Sequence, residues 1–156
     1  MSNLAKHENW MRFAFKEAEK AYQNNEVPIG SIIIKDDTII GRGYNQCEGL
    51  NDPTAHAEMI AITSASNTLK SWRLTDCTLY VTKEPCAMCS GALINARVSM
   101  VVFGAYDDEE GCCGSFYQLC QEPKFNHQLS IRGGIMEDSC KHILIDFFRE
   151  KRKSIK

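Results

Sequence analysis

The chain has 156 residues, 44% of them hydrophobic and 24% charged. That is one domain's worth of sequence, able to bury about two thirds of the surface its unfolded chain exposes. A net charge of -2 excludes a protein marked for nucleic acid by composition alone. No stretch reads as a secretory leader or a membrane span, so a cytoplasmic protein with eight reduced cysteines is expected.

Trp10, Phe13, Ala14, Ala18 and Ala21 recur at helical spacing and predict a first helix over residues 4 to 23. After NNEVPIG, the runs SIIIK and TIIGRGYN are strand-like, and the two aspartates between them predict a tight hairpin turn. EGLNDPT reads as a loop, followed by a second helix over residues 55 to 69. CTLYVT is a strand, and a third helix opens at Pro85, where a missing N–H costs nothing, and runs to Ala96. SMVVFGA is another strand, and an acidic, cysteine-rich loop leads to a helical patch from Phe116 to Leu119. An edge strand, LSIRGG, and an amphipathic helix over residues 138 to 153 close the chain. The order requires a single domain over residues 1 to 156, with a central sheet, helices on both faces, and a right-handed parallel crossover from residue 77 to 104. The long apolar runs imply strands buried on both sides.

Charge is unevenly spread. Residues 141 to 156 carry six Lys or Arg against two acids, whereas residues 107 to 122 carry five acids and no base. On patterning alone the basic end is a solvated terminus or a phosphate-binding one.

The chemistry concentrates in two short segments. In EPCAMCSG, Cys86 and Cys89 stand three apart at a helix start, so both sulfurs lie on one face and can reach one ion. The helix terminus favours the thiolates that zinc requires. Thirty residues upstream, in DPTAHAEM, His56 sits at the start of a core helix with Glu58 two residues on. One imidazole and two thiolates give three ligands and leave a fourth position for water, the pattern of a catalytic site, with Glu58 as a proton-moving group that is not a ligand. Two other readings stand beside it: a closed structural zinc site completed by Cys112 or Cys113, and a thiol redox pair. Cys47, Cys77, Cys120 and Cys140 read as small core or half-buried residues.

His-x-Glu followed by Pro-Cys-x-x-Cys is the signature of zinc-dependent nucleobase deaminases. Over nearly its whole length the chain resembles the bacterial-type tRNA adenosine deaminases, through NEVPIG, GYN, DPTAHAE, WRL, TLYVTKEPCAMCSGALI, VVFGAYD, GS, FNH and FFR. The resemblance implies a cytidine-deaminase-like fold, a three-layer α/β/α sandwich with a mixed central sheet. It implies one zinc ion per subunit on His56, Cys86 and Cys89, and hydrolytic deamination of the wobble adenosine of a tRNA anticodon to inosine by zinc-bound hydroxide, with Glu58 as the proton shuttle. Asn45 would hydrogen-bond the purine and the Ala57 N–H would meet its reacting edge. Asp107, Asn126 and His127 would line the passage for flanking nucleotides, and Phe148 and Arg149 would hold RNA at the last helix. The partners implied are a tRNA anticodon stem-loop and a second copy of the chain, with no membrane and no DNA. The same likeness raises the basic residues Lys151, Arg152 and Lys153 toward phosphate contact. Deamination of a free base such as guanine or cytosine, and a non-catalytic zinc protein, are the alternatives.

The chain departs from that family at three places. Glu109 stands where relatives usually carry a lysine, Lys83 where they carry an apolar residue, and Cys112 with Cys113 where small residues are usual. An acid at 109 repels phosphate, while a lysine at 83 restores positive charge if its side chain emerges at the rim.

Overall fold

The computed structural model describes residues 1–155. Helix α1 (Asn3–Gln23) starts where Ser2 accepts the Ala5 N–H at 3.1 Å. The hairpin follows as β1 (Gly30–Lys35) and β2 (Thr38–Tyr44). Asp36 and Asp37 both take positive φ, 50° and 56°, the backbone of a two-residue turn whose twist matches the strands. After a four-residue helix α2 (Cys47–Leu50) come α3 (Ala57–Leu69), β3 (Thr78–Lys83), α4 (Ala87–Asn95), β4 (Met100–Ala105), β5 (Ser130–Arg132) and α5 (Glu137–Ile155).

The sheet has the order β2-β1-β3-β4-β5. β1 runs antiparallel to β2 and β3, while β3, β4 and β5 are mutually parallel. The two-residue period of the strands divides the core in two. Ile33, Leu79, Val81, Val101 and Phe103 pack beneath α3 and α4 with Ala61, Ala65 and Leu93. Ile32, Tyr80 and Val102 face the other way, onto α1 and α5, with Met11, Ala14 and Cys140. Each fully buried aliphatic side chain stabilises by roughly 1.5–3 kcal/mol. The result is the expected three-layer α/β/α sandwich with a mixed sheet.

α3 lies unusually close to the hairpin because β2 offers it glycine. A Cβ on Gly43 would come within 2.3 Å of the Ala57 carbonyl oxygen, and one on Gly41 within 2.5 Å of that of Ala61. The sequence pattern thus decides how deep the second layer sits.

Four local expectations change. The third helix begins at Ala87 with Cys86 as its cap, so Pro85 lies before the helix rather than in its first position. The 116–119 segment is not helical; a single bridge between Cys113 and Gln118 ties it instead. Part of the expected loop EGLNDPT folds as α2, where the Glu26 carboxylate accepts the N–H groups of Glu48 and Gly49 at 3.0 and 2.6 Å. Met11, not Trp10, fills the centre of the α1 stripe, and Trp10 and Phe13 pack at its margin.

Candidate metal centre

Topology brings the two motifs together. β2 and β3 both run antiparallel to β1, so their carboxyl ends lie at the same end of the sheet, and each is followed by a helix. α3 and α4 therefore start side by side. His56 caps α3 and Cys86 caps α4, both in extended backbone, with Cys89 three residues further on and fully buried.

The imidazole Nδ1 of His56 lies 3.6 Å from the Cys86 sulfur and 3.5 Å from the Cys89 sulfur. These are the group's ligand atoms, all within 4.8 Å of one another. A tetrahedral ion at ordinary Zn–S and Zn–N lengths separates its nitrogen and sulfur ligands by about 3.6 Å, so the donor set fits zinc in type and spacing. The hydrogen bond from Cys89 draws the Cys86 thiol down to about 4 in spite of burial, with His56 adding to the effect. Cys89 is pushed up by that bond and by burial, and His56 is raised by its bond to Cys86. Cys86 is thus biased toward the thiolate, while Cys89 and His56 would each release a proton on binding a metal ion.

Cys112 and Cys113 do not join this group. Cys113 sits 3.6 Å from both the Ser90 hydroxyl and the Cys120 sulfur, and Cys112 donates to the Glu110 carbonyl at 3.4 Å. Among the described residues, the only cluster with metal-ligand geometry is His56, Cys86 and Cys89, which removes the protein fourth ligand that a closed structural site requires.

The recess at this centre collects one residue or more from every neighbouring segment. Ile29 precedes β1, Asn45 follows β2, and Ala57 and Glu58 open α3. Lys83 and Glu84 close β3, and Asp107 and Glu110 follow β4. Glu58 is buried, and that burial raises its carboxyl above the usual range. Asn45 is 8% exposed, its side-chain oxygen accepting the Cys47 N–H at 3.3 Å, so one residue is both turn former and pocket wall. Ala57 contributes backbone at the helix start, where N–H groups have no partner inside the helix.

The remaining predicted residues lie elsewhere. Asn126 is exposed, and the His127 ring is 2.7 Å from the Val98 carbonyl oxygen, before β4. Phe148 stacks edge-on against Phe147 and is 45% exposed, and Arg149 makes an exposed contact of 3.6 Å with Asp146 on the same helix. None of these four lines the recess. Conversely, sequence reasoning missed Glu84. Its buried carboxylate accepts the N–H groups of Asp107, Cys113 and Ser115 and the Ser115 hydroxyl, and so shapes the loop after β4. The only hint was an acid standing between a buried strand and a helix cap.

Comparison with known proteins agrees with this arrangement. Residues 5–152 match the MafB19-like deaminase family. The tRNA-specific adenosine deaminase of Bacillus subtilis (strain 168) is 46% identical over 98% of this chain and 95% of its own. The chain belongs to the tRNA-specific adenosine deaminase family. Among solved structures, one from work on A-to-I editing by tRNA:A34 deaminases superposes with a TM-score of 0.84 at 37% identity, covering 87% of this deaminase and 99% of the other chain. A guanine deaminase from Bacillus subtilis gives 0.62 at 38% identity over 68% of this deaminase and 66% of its own chain. The deaminase fold is thus shared with both. Among the described residues no helix is long and apolar enough to cross a membrane.

Proposed function

We propose that this chain deaminates the wobble adenosine of a tRNA anticodon to inosine, taking up water and releasing ammonia. The observation that carries the reading is the buried Glu58 carboxyl set in a recess that His56, Cys86 and Asn45 also line, with Cys89 completing the three converging donors. His56, Cys86 and Cys89 hold one zinc ion. Bound there, zinc supplies Lewis acidity that makes hydroxide available at neutral pH. Glu58 takes a proton from water and delivers it to purine N1 as the water oxygen adds to C6, then carries the remaining hydroxyl proton to the amine, which leaves as ammonia while C6 becomes a carbonyl. Asn45 orients the base, and the Ala57 N–H meets its edge. The adenosine must leave its stack to enter, which costs least in a hairpin loop.

Asp107, Asn126, His127, Phe148 and Arg149, with the basic residues Lys151 to Lys153, are assigned to the surrounding RNA. A homodimer acting in the cytoplasm completes the proposal. Support for the RNA substrate comes from relatives of similar length, which are tRNA-specific adenosine deaminases. The four carboxylates of the recess wall, Glu58, Glu84, Asp107 and Glu110, favour the rival reading of an uncharged free base.

The test incubates the zinc-loaded protein with an anticodon stem-loop carrying adenosine at the wobble position, and in parallel with free adenine, guanine and cytosine. Inosine in the RNA, read by nucleoside mass spectrometry and absent with Glu58→Ala, is expected. Turnover of a free base with an untouched stem-loop would replace the proposal with the rival.

A further inference from the structure

An RNA loop brings a negative charge with every nucleotide, yet four of the side chains lining the recess are carboxylates. Asp108 and Glu109, both exposed, stand in the chain between two of those lining carboxylates, Asp107 and Glu110. The single cation in the lining is Lys83, at the last position of β3.

Lys83 is not a loose surface side chain. Its Nζ lies 3.0 Å from Asp107 Oδ2, with the two side chains 29% and 13% exposed. Asp107 is itself fixed: its Oδ1 accepts the Glu109 and Glu110 N–H groups at 3.0 and 3.1 Å, and its own N–H donates to Glu84 at 3.1 Å. Although burial works against it, the bond and charge of Lys83 hold the Asp107 carboxyl below its usual range. The carboxylate therefore has both oxygens engaged, while the ammonium has three donors and spends one on Asp107. A flexible four-carbon stem is held in place and two donors remain for a ligand.

We infer that Lys83 and Asp107 form a coupled specificity element, in which Asp107 positions the Lys83 ammonium to receive a phosphate of the nucleotide entering the recess. Asp107 then acts through Lys83, as a positioning residue, and Lys83 offsets an otherwise acidic mouth. This rests on the RNA reading above.

A kinetic double-mutant cycle tests it, with the zinc-loaded enzyme, an anticodon stem-loop, and salt varied from low to physiological. Lys83→Met raises KM by about tenfold at low salt, in line with loss of one charged hydrogen bond, and Lys83→Arg keeps most of the affinity. The slope of log KM against log salt falls by about 0.7, the share of one single-strand phosphate. Asp107→Asn raises KM in the wild-type background but lowers it in Lys83→Met, where it removes a carboxylate left without its partner. An unchanged KM and salt slope in Lys83→Met, or an equal cost of Asp107→Asn in both backgrounds, would overturn the inference. So would a loss confined to kcat and melting temperature, the mark of a merely structural pair. A wild-type enzyme that leaves every stem-loop untouched refutes the RNA reading itself, which separates that failure from this one.

Discussion

Removing the Glu84 carboxylate should loosen the wall of the recess without touching a metal ligand. Four donors converge on it, three of them backbone amides at 3.0 to 3.1 Å. In Glu84→Ala the Cys113 N–H, in a residue 4% exposed, loses its partner outright, at about 1–3 kcal/mol. Asp107 and Ser115 are half-buried and partly resolvate, so each adds about 1 kcal/mol. The sum, roughly 3–5 kcal/mol, corresponds to a fall in melting temperature of about 6–20 °C for a domain of this size. Thermal unfolding of the zinc-loaded protein gives the total, and amide hydrogen exchange locates it. The 107, 113 and 115 amides should exchange much faster while those of β1 and β3 keep their protection relative to global stability. Equal melting temperatures, or unchanged exchange at 113 and 115, would show that the loop is held by something else. Glu84→Gln discriminates further, because it keeps the volume but turns an NH2 group toward amide donors, and so should rescue little.

Three further outcomes are expected. Glu58→Gln should retain one zinc per chain by elemental analysis while kcat falls by about 10²–10⁴-fold, the usual worth of a positioned proton carrier, whereas Cys86→Ser or His56→Ala should lose most of the metal. Burial of Tyr80 raises its phenol to about 12, so the folded state keeps a proton that the unfolded state releases above about pH 10. The stability linked to it is complete below pH 10 and is lost as pH rises through 12; urea unfolding should show this fall in the wild type and a flatter one in Tyr80→Phe. Gly43→Ala should destabilise by at least about 2 kcal/mol, since the new methyl meets the Ala57 carbonyl, and weaken zinc binding by displacing the helix that carries His56; unaltered zinc affinity would refute the link.

The parts of the fold legible in the sequence are those set by periodicity and local turn chemistry. Two apolar runs around Asp36-Asp37 can hardly avoid a hairpin, and the strands buried on both faces announce themselves as unbroken apolar stretches. The candidate metal cluster of His56, Cys86 and Cys89 was legible because spacing within a helix start is a local property. What escaped depends on contacts made across the chain. Phe116 to Leu119 has helix-compatible residues, but the amides of Phe116 and Tyr117 bond to the Gly111 carbonyl, an arrangement local propensity does not encode. α2 exists because Glu26, more than twenty residues earlier, supplies its first N–H partners. Glu84 and Glu26 share a signature invisible one residue at a time: an acid in a buried setting that accepts several backbone N–H groups.

These buried acids also explain how a loop-built site stays rigid. The candidate ligands sit on two helix caps and in the first turn of α4, whose orientation follows from α3, α4 and the sheet, but Asn45 and Asp107 lie on connections. Each connection is fastened by one buried carboxylate that accepts several N–H groups: Glu26 holds the segment after Asn45, and Glu84 holds the segment after Asp107. Glycine on β2 fixes the depth of α3 by backbone contact, with no side chain able to give. The site is therefore held from three directions, and one of the two carboxylates has a further consequence: Glu84 lies in the wall of a recess meant for an anionic substrate. Lys83, at the end of β3 and paired with Asp107, supplies a cation to that same wall, so charge and rigidity at the recess are set by the same few residues.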